Sequence, residues 1–61
     1  MTREEVLEQL SSDSAHQRLK AARLLARNSD PADVQRLREA LQSESVSYVR
    51  TSLNLAIKRV E

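Results

Sequence analysis

The segment from Ser14 to Asn28 constrains the fold most strongly, because it has helical periodicity and an unusually wide apolar side. Successive residues of a helix are about 100° apart, and the apolar side chains here cover far more than the single stripe of a surface helix. They are Ala15, Leu19, Ala21, Ala22, Leu24, Leu25 and Ala26. We therefore predict a helix that is covered by two neighbours.

Polar residues indicate where this helix begins and ends. Ser14 is a good N-cap, and Gln17 stands at the position that completes a capping box. Asn28 tolerates a positive φ and can end the helix where glycine is usual. The predicted helix thus extends from Ser14 to Asn28.

Similar boundary signals predict three further helices. Thr2 and Glu5 form a capping-box pair ahead of a short apolar stripe. At Asp30-Pro31, the aspartate can cap a helix whose first position suits proline, because an N–H there would have no partner. A last apolar stripe follows a polar turn over residues 43–45. The four predicted helices span residues 3–10, 14–28, 31–42, and from 45 or 47 to the end of the chain.

The composition supports an all-α fold in a single domain. The chain has no glycine and one proline, and Ala, Leu, Arg, Glu, Gln and Ser dominate. These residues favour helices and argue against a sheet. With 61 residues the chain forms at most one small domain. Without cysteine it has neither a disulfide nor a thiolate metal site.

The second half of the chain repeats the pattern of the first. At an offset of 32, Arg18 aligns with Arg50, Ala21 with Leu53, Leu24 with Ala56, and Leu25 with Ile57. Ahead of these the offset is 31, which aligns Val6 with Leu37, Leu10 with Leu41, and Asp13 with Glu44. A helix pair recurring at this period is typical of an α-solenoid. We predict two helical hairpins, repeat one over about 1–29 and repeat two over about 30–61, stacked as a short α-solenoid. A simple antiparallel four-helix bundle is the alternative.

The repeated residues resemble those of a known family. The stretch LSSDSAHQRLKAARLL, residues 10–25, is similar to a HEAT repeat, with an acidic residue in the turn, an arginine early in the next helix and two alanines after it. A second, poorer copy is formed by Leu41, Glu44, Val49, Arg50, Leu53 and Ile57. The resemblance implies a protein-binding scaffold. It also implies a ladder of polar contacts between repeats, which would include Asp13, Arg18, Glu44 and Arg50.

The candidate binding site follows from the repeat. The second helix has a narrow basic row, and the offset of 32 carries that row onto a second row on the fourth helix. The rows are His16, Lys20, Arg23 and Arg27, and Tyr48, Ser52, Leu55 and Arg59. If the hairpins stack, the two helices lie side by side and the rows form one surface. Its positive charges and two apolar side chains suit an acidic, partly apolar peptide or helix. The function predicted from the sequence is therefore a protein-interaction module.

Four other interpretations stay open at this point. The basic row on an exposed helix can be solvated without a specific role, and Tyr48 and Leu55 can pack on a following repeat. Lys20, Arg23, Arg27, Arg36 and Arg59 can contact nucleic-acid phosphates, although ten basic against nine acidic residues is a weak excess for such a protein. The module can also be purely structural and self-associate through its ends.

Enzyme activity is not expected. His16 is the only histidine and there is no cysteine, so the sequence predicts no metal site and no cofactor. The serines cluster at turns and helix starts, where capping explains them, and no glycine is present to shape an oxyanion loop or a phosphate loop. No apolar run suits a signal sequence or a membrane span, so we expect a cytoplasmic protein.

Overall fold

The computed structural model describes residues 2–28 and 30–60, and throughout these residues the chain is helical or in connecting turns. The elements are α1 (Arg3–Gln9), α2 (Ala15–Arg27), a 3-10 turn (Pro31–Asp33), α3 (Val34–Ser43) and α4 (Ser47–Val60). The predicted all-α class with four helices is confirmed. Residues 1, 29 and 61, at the predicted limits of the two repeats, lie outside the described residues.

The capping residues act largely as the sequence predicts. Thr2 and Glu5 form a reciprocal capping box, in which the Glu5 N–H donates to Thr2 Oγ1 and the Thr2 N–H donates to Glu5 Oε1, each at 3.2 Å. The hydrogen bond from the Thr2 backbone holds the pKa of Glu5 below its ordinary value. At α2, the Gln17 N–H donates to Ser14 Oγ at 3.4 Å.

Two details of the helix ends differ from expectation. Asn28 ends α2 as predicted, but its φ is −119°, so it does not use the left-handed geometry that it tolerates. Its backbone N–H and its side-chain Nδ2 both donate to the carbonyl of Leu24, at 3.1 and 3.0 Å. The third helix does not start as an α-helix at Pro31, because a 3-10 turn capped by Asp30 comes first.

The core lies between the two hairpins and consists of small and aliphatic side chains. Its members are Val6, Leu7, Leu10, Ala21, Ala22, Leu25, Ala26, Leu37, Val49, Leu53, Ala56 and Ile57. On α2, Ala21, Ala22, Leu25 and Ala26 are at most 5% exposed, because α1 and α4 both pack on this helix. The prediction that Leu24 extends the buried side is wrong, since it is 37% exposed.

Helices α2 and α4 lie side by side and run in the same direction. Near the start of α2, Arg18 contacts Glu44, which lies just ahead of α4. Near the other end, Arg59 of α4 donates from Nη1 to the carbonyl of Ala26 in α2 at 3.4 Å. Because beginning meets beginning and end meets end, the two helices are parallel. Their interface is the most extensive one between described helices.

The outer helices also share a direction. Glu4 of α1 and Arg36 of α3 form an ion pair at 3.7 Å, and both lie in the first turns of their helices. Arg3, which begins α1, contacts Asp33 just ahead of α3 and also donates to the carbonyl of Asn28 at the end of α2. Within the first hairpin the helices are therefore antiparallel, whereas equivalent helices of the two hairpins share a direction.

Candidate functional site

A polar junction joins the turns of the two hairpins and fixes α2 beside α4. Arg18 donates from Nε and Nη2 to the carboxylate of Glu44 at 2.8 and 3.3 Å. Its Nη1 donates to the carbonyls of Ser12 and Asp13 at 2.7 and 3.2 Å. The Val46 N–H also donates to Glu44, at 3.1 Å. One arginine thus ties its own turn to the turn of the second hairpin.

The environment of Glu44 has two opposing effects on its charge. Only 7% of the residue is exposed, and this burial by itself raises its pKa. The hydrogen bonds from Arg18 and Val46 outweigh that effect and leave the pKa of Glu44 below its ordinary value. The carboxylate is therefore ionised at neutral pH and holds Arg18 as a charged pair.

Arg50 holds the second turn as Arg18 holds the first. Its Nη1 donates to the carbonyls of Leu41 and Glu44 at 3.0 and 2.8 Å. The two arginines are 32 positions apart and each binds the carbonyls of the turn before its own helix. Of these two arginines, Arg18 also makes a contact between the hairpins, through its ion pair with Glu44.

The predicted row on α2 lies on the outer surface of the molecule. His16, Lys20, Arg23 and Arg27 are all exposed. On a helical wheel they lie on the side opposite the buried alanines and Leu25. Their basic groups are thus available to solvent or to another molecule.

The predicted row on α4 is less uniform than the row on α2. Tyr48 and Leu55 are 52% and 48% exposed, while Ser52 is half-buried and donates to the carbonyl of Tyr48 at 3.2 Å. Arg59 is exposed, yet its guanidinium crosses to the Ala26 carbonyl of α2. Arg59 therefore links α4 to the backbone of α2. The row on α4 is less exposed than the row on α2, because α2 packs on the flank of α4 where Ser52 lies.

The charges are divided between the two helix layers. Helices α2 and α4 contain seven of the ten Lys and Arg residues and no Asp or Glu. All nine acidic residues lie in α1, in α3, in the segments between helices or at the chain end. The nearly equal numbers of basic and acidic residues in the whole chain do not indicate this division. A count of the charged residues in each predicted helix would have identified it.

The far flank of α4 is polar, whereas the matching flank of α2 is apolar. Ala22 and Ala26 are buried and Ala15 and Leu19 half-buried on the side of α2 that packs on α4. The residues 32 positions later are Ser47, Thr51, Asn54 and Lys58, and all four are exposed. The flank of α4 that a following hairpin would cover is therefore not suited to burial.

A groove lies elsewhere, between the ends of α1 and α3. It is open, has a volume of about 540 Å³, and is lined partly by Leu10, Asp13, Arg18, Glu39 and Glu44. Among the described residues, no group of three or more His, Cys, Asp or Glu side chains could hold a metal ion. None of the described helices combines the length and the apolar character that a membrane crossing requires.

Comparison of the chain with models of known protein families, with curated proteins and with solved structures found no match. The resemblance to HEAT repeats therefore rests on the residues of this chain alone.

Proposed function

We propose that the chain is a HEAT-like protein-interaction module of two stacked hairpins, a short α-solenoid that binds a protein partner in the cytoplasm and has no catalytic activity. Repeat one covers about 1–29 and repeat two about 30–61. The partner binds to the α2/α4 surface, which consists of His16, Lys20, Arg23, Arg27, Tyr48, Ser52, Leu55 and Arg59. The module is a recognition or regulatory segment of a larger protein.

The observation that carries this proposal is the parallel, side-by-side packing of α2 and α4. Residues at equivalent positions of two parallel neighbouring helices follow one another across a common surface. The Arg18 junction and the Arg59 contact lie at opposite ends of this interface and support the matching phase. Repeat proteins commonly use such continuous surfaces for binding.

The exposure of Tyr48 and Leu55 also supports a binding role. They are two of the three large apolar side chains that are exposed in the described part of the chain. The alternative is that a following repeat covers Tyr48 and Leu55. The polar side chains of Thr51, Asn54 and Lys58 on the flank where such a repeat would pack argue against it.

Site-specific photo-crosslinking tests the proposal in the cells that make the protein. A photoreactive benzoylphenylalanine replaces Tyr48 in one variant and Leu55 in another. The matched control carries it at Gln42, which is exposed on α3 at the opposite layer. We expect a specific crosslinked protein from the two α4 positions and none from the control.

Three results would contradict the proposal. Crosslinking from Gln42 that equals that from Tyr48 would show that the α2/α4 surface is not the site. Crosslinks to nucleic acid, removed by nuclease treatment, would instead favour phosphate binding through the basic row. Crosslinks only to a second copy of the chain would favour the self-associating, purely structural alternative.

A further inference from the structure

We infer that the partner segment is an acidic amphipathic helix. Two of its apolar side chains, one heptad apart, pack on Tyr48 and Leu55, and its carboxylates lie over the basic residues of α2. This inference rests on the proposed function and specifies the chemistry of the partner. It is carried by the division of charge between the layers and by the position of the exposed apolar pair.

The charge of the surface selects an acidic partner. Since α2 and α4 contain no carboxylate, their lysines and arginines have no acidic neighbour within their own helices. Arg18 and Arg50 are engaged at the turns, but Lys20, Arg23 and Arg27 are exposed along the outside of α2. A basic partner would be repelled along the whole length of this helix.

The apolar pair selects a partner with anchors at a defined spacing. Tyr48 and Leu55 lie seven positions apart on the same side of α4, so they are about 10 Å apart along the helix axis. Two side chains one heptad apart on a partner helix have the same separation. Leu19 is a half-buried apolar residue on the side of α2 that packs on α4.

The arrangement across the surface also fits a helix. Neighbouring packed helices are about 8 to 10 Å apart, so an additional helix can lie along α2 and α4 and contact both. Charges lie on both sides of the apolar pair, with the α2 row on one side and Lys58 on the other. A partner helix with one apolar stripe between two acidic flanks complements this arrangement, in which an apolar pair lies between positive charges. Nucleic-acid phosphates would use the cations but leave Leu55 without a role.

Fluorescence anisotropy with synthetic peptides tests the inference directly. The probe is a labelled, alanine-based peptide of about 20 residues, long enough for marginal helicity in water. It carries leucines at two positions seven apart, and glutamates on both sides of them. One matched peptide replaces the glutamates with glutamine, and a second replaces the leucines with alanine. We expect each replacement to weaken binding about tenfold or more.

Matched protein variants locate the interaction. Arg23→Gln combined with Arg27→Gln, and separately Leu55→Ser, should each weaken binding of the acidic leucine peptide about tenfold. Gln35→Glu combined with Gln42→Glu changes the net charge by the same amount on exposed positions of α3. That control should keep the affinity within about twofold at physiological salt, because the charges are screened over the thickness of the domain. Circular dichroism checks that each variant remains helical.

The outcomes separate this inference from the proposed function. Equal binding of the glutamine peptide, equal loss in the α3 control, or binding of duplex or single-stranded DNA in place of the peptide would overturn the acidic-helix inference. If a crosslinked partner contacts Tyr48 through a basic or uncharged segment, this inference fails while the proposed function stands. If neither the peptide nor a crosslinked protein contacts the surface, both fail.

Discussion

Removing the contact between Arg18 and Glu44 should uncouple the two hairpins. We consider a double-mutant cycle with Arg18→Met, which retains most of the apolar stem, and Glu44→Gln, which retains the shape of the side chain. Each single variant also alters bonds to the turn backbone, namely those of Arg18 to Ser12 and of Glu44 to Val46. The cycle cancels these and isolates the energy between the two side chains.

The expected coupling follows from the geometry of the pair. Two hydrogen bonds join the groups, at 2.8 and 3.3 Å, and the side chains of Arg18 and Glu44 are only 20% and 4% exposed. Hydrogen bonds to charged groups contribute about 1.5 to 3 kcal/mol, and the longer bond here is weak. We therefore expect a coupling of about 2 kcal/mol, well above the 0 to 1 kcal/mol that is typical of exposed pairs.

Urea unfolding followed by circular dichroism measures the coupling. A domain of this size has a stability of only about 3 to 5 kcal/mol, so the titrations need an osmolyte that raises the stability of all four proteins. The pair of Glu4 and Arg36, 3.7 Å apart with side chains 68% and 44% exposed, provides the control cycle. A coupling for Arg18 and Glu44 that is no larger than the control would refute the role assigned to this junction.

Three further predictions concern stability and assembly. Leu37 is 1% exposed, so Leu37→Ala should cost about 2 to 5 kcal/mol and leave the chain largely unfolded, as seen by loss of the circular dichroism signal. The pKa of Glu44 is lower in the folded chain than in the unfolded chain, so its contribution is present above a pH of about 4.3 and is lost as the pH falls through the folded value. Urea titrations over this range should show a smaller pH dependence for Glu44→Gln, and an unchanged dependence would contradict the assignment. Thr51→Leu combined with Asn54→Ala gives the far flank of α4 the apolar side chains found at the equivalent positions of α2, and should induce self-association in sedimentation experiments. If the variant sediments like the unchanged chain, this flank is not what limits stacking.

Much of the fold could be predicted because short-range signals determine it. The Thr2 capping box, the Ser14 cap and the Asp30-Pro31 boundary each depend on residues within one helical turn, and each is present. The apolar periodicity identified the buried side of α4, including Val49 and Leu53.

The differences arise where the outcome depends on what packs nearby. Leu24 belongs to the apolar arc of α2 by periodicity, but it lies about 160° around the helix from the buried Ala22 and is 37% exposed. At Asn28 the backbone N–H and the side chain both donate to the Leu24 carbonyl, and the residue ends α2 without the left-handed geometry. Likewise, the reach of Arg18 across to Glu44 depends on how closely the hairpins approach.

The candidate site could be predicted as two rows, but not as a surface with a defined charge pattern. The offset of 32 identified the matching positions, and exposure of Tyr48 and Leu55 agrees with it. The contact of Arg59 with Ala26 and the partial burial of Ser52 depend on the approach of α2 to one flank of α4.

The parallel, side-by-side packing of α2 and α4 is tested most directly by distances between spin labels. The chain has no cysteine, so labelled cysteines can be introduced in pairs without background. The pairs His16 with Tyr48 and Arg27 with Arg59 should give similar short distances, near the roughly 10 Å between packed helices plus the label arms. The diagonal pair His16 with Arg59 should be clearly longer, because the positions are offset by about 16 Å along the helices. A short diagonal distance, or two long equivalent distances, would contradict the account.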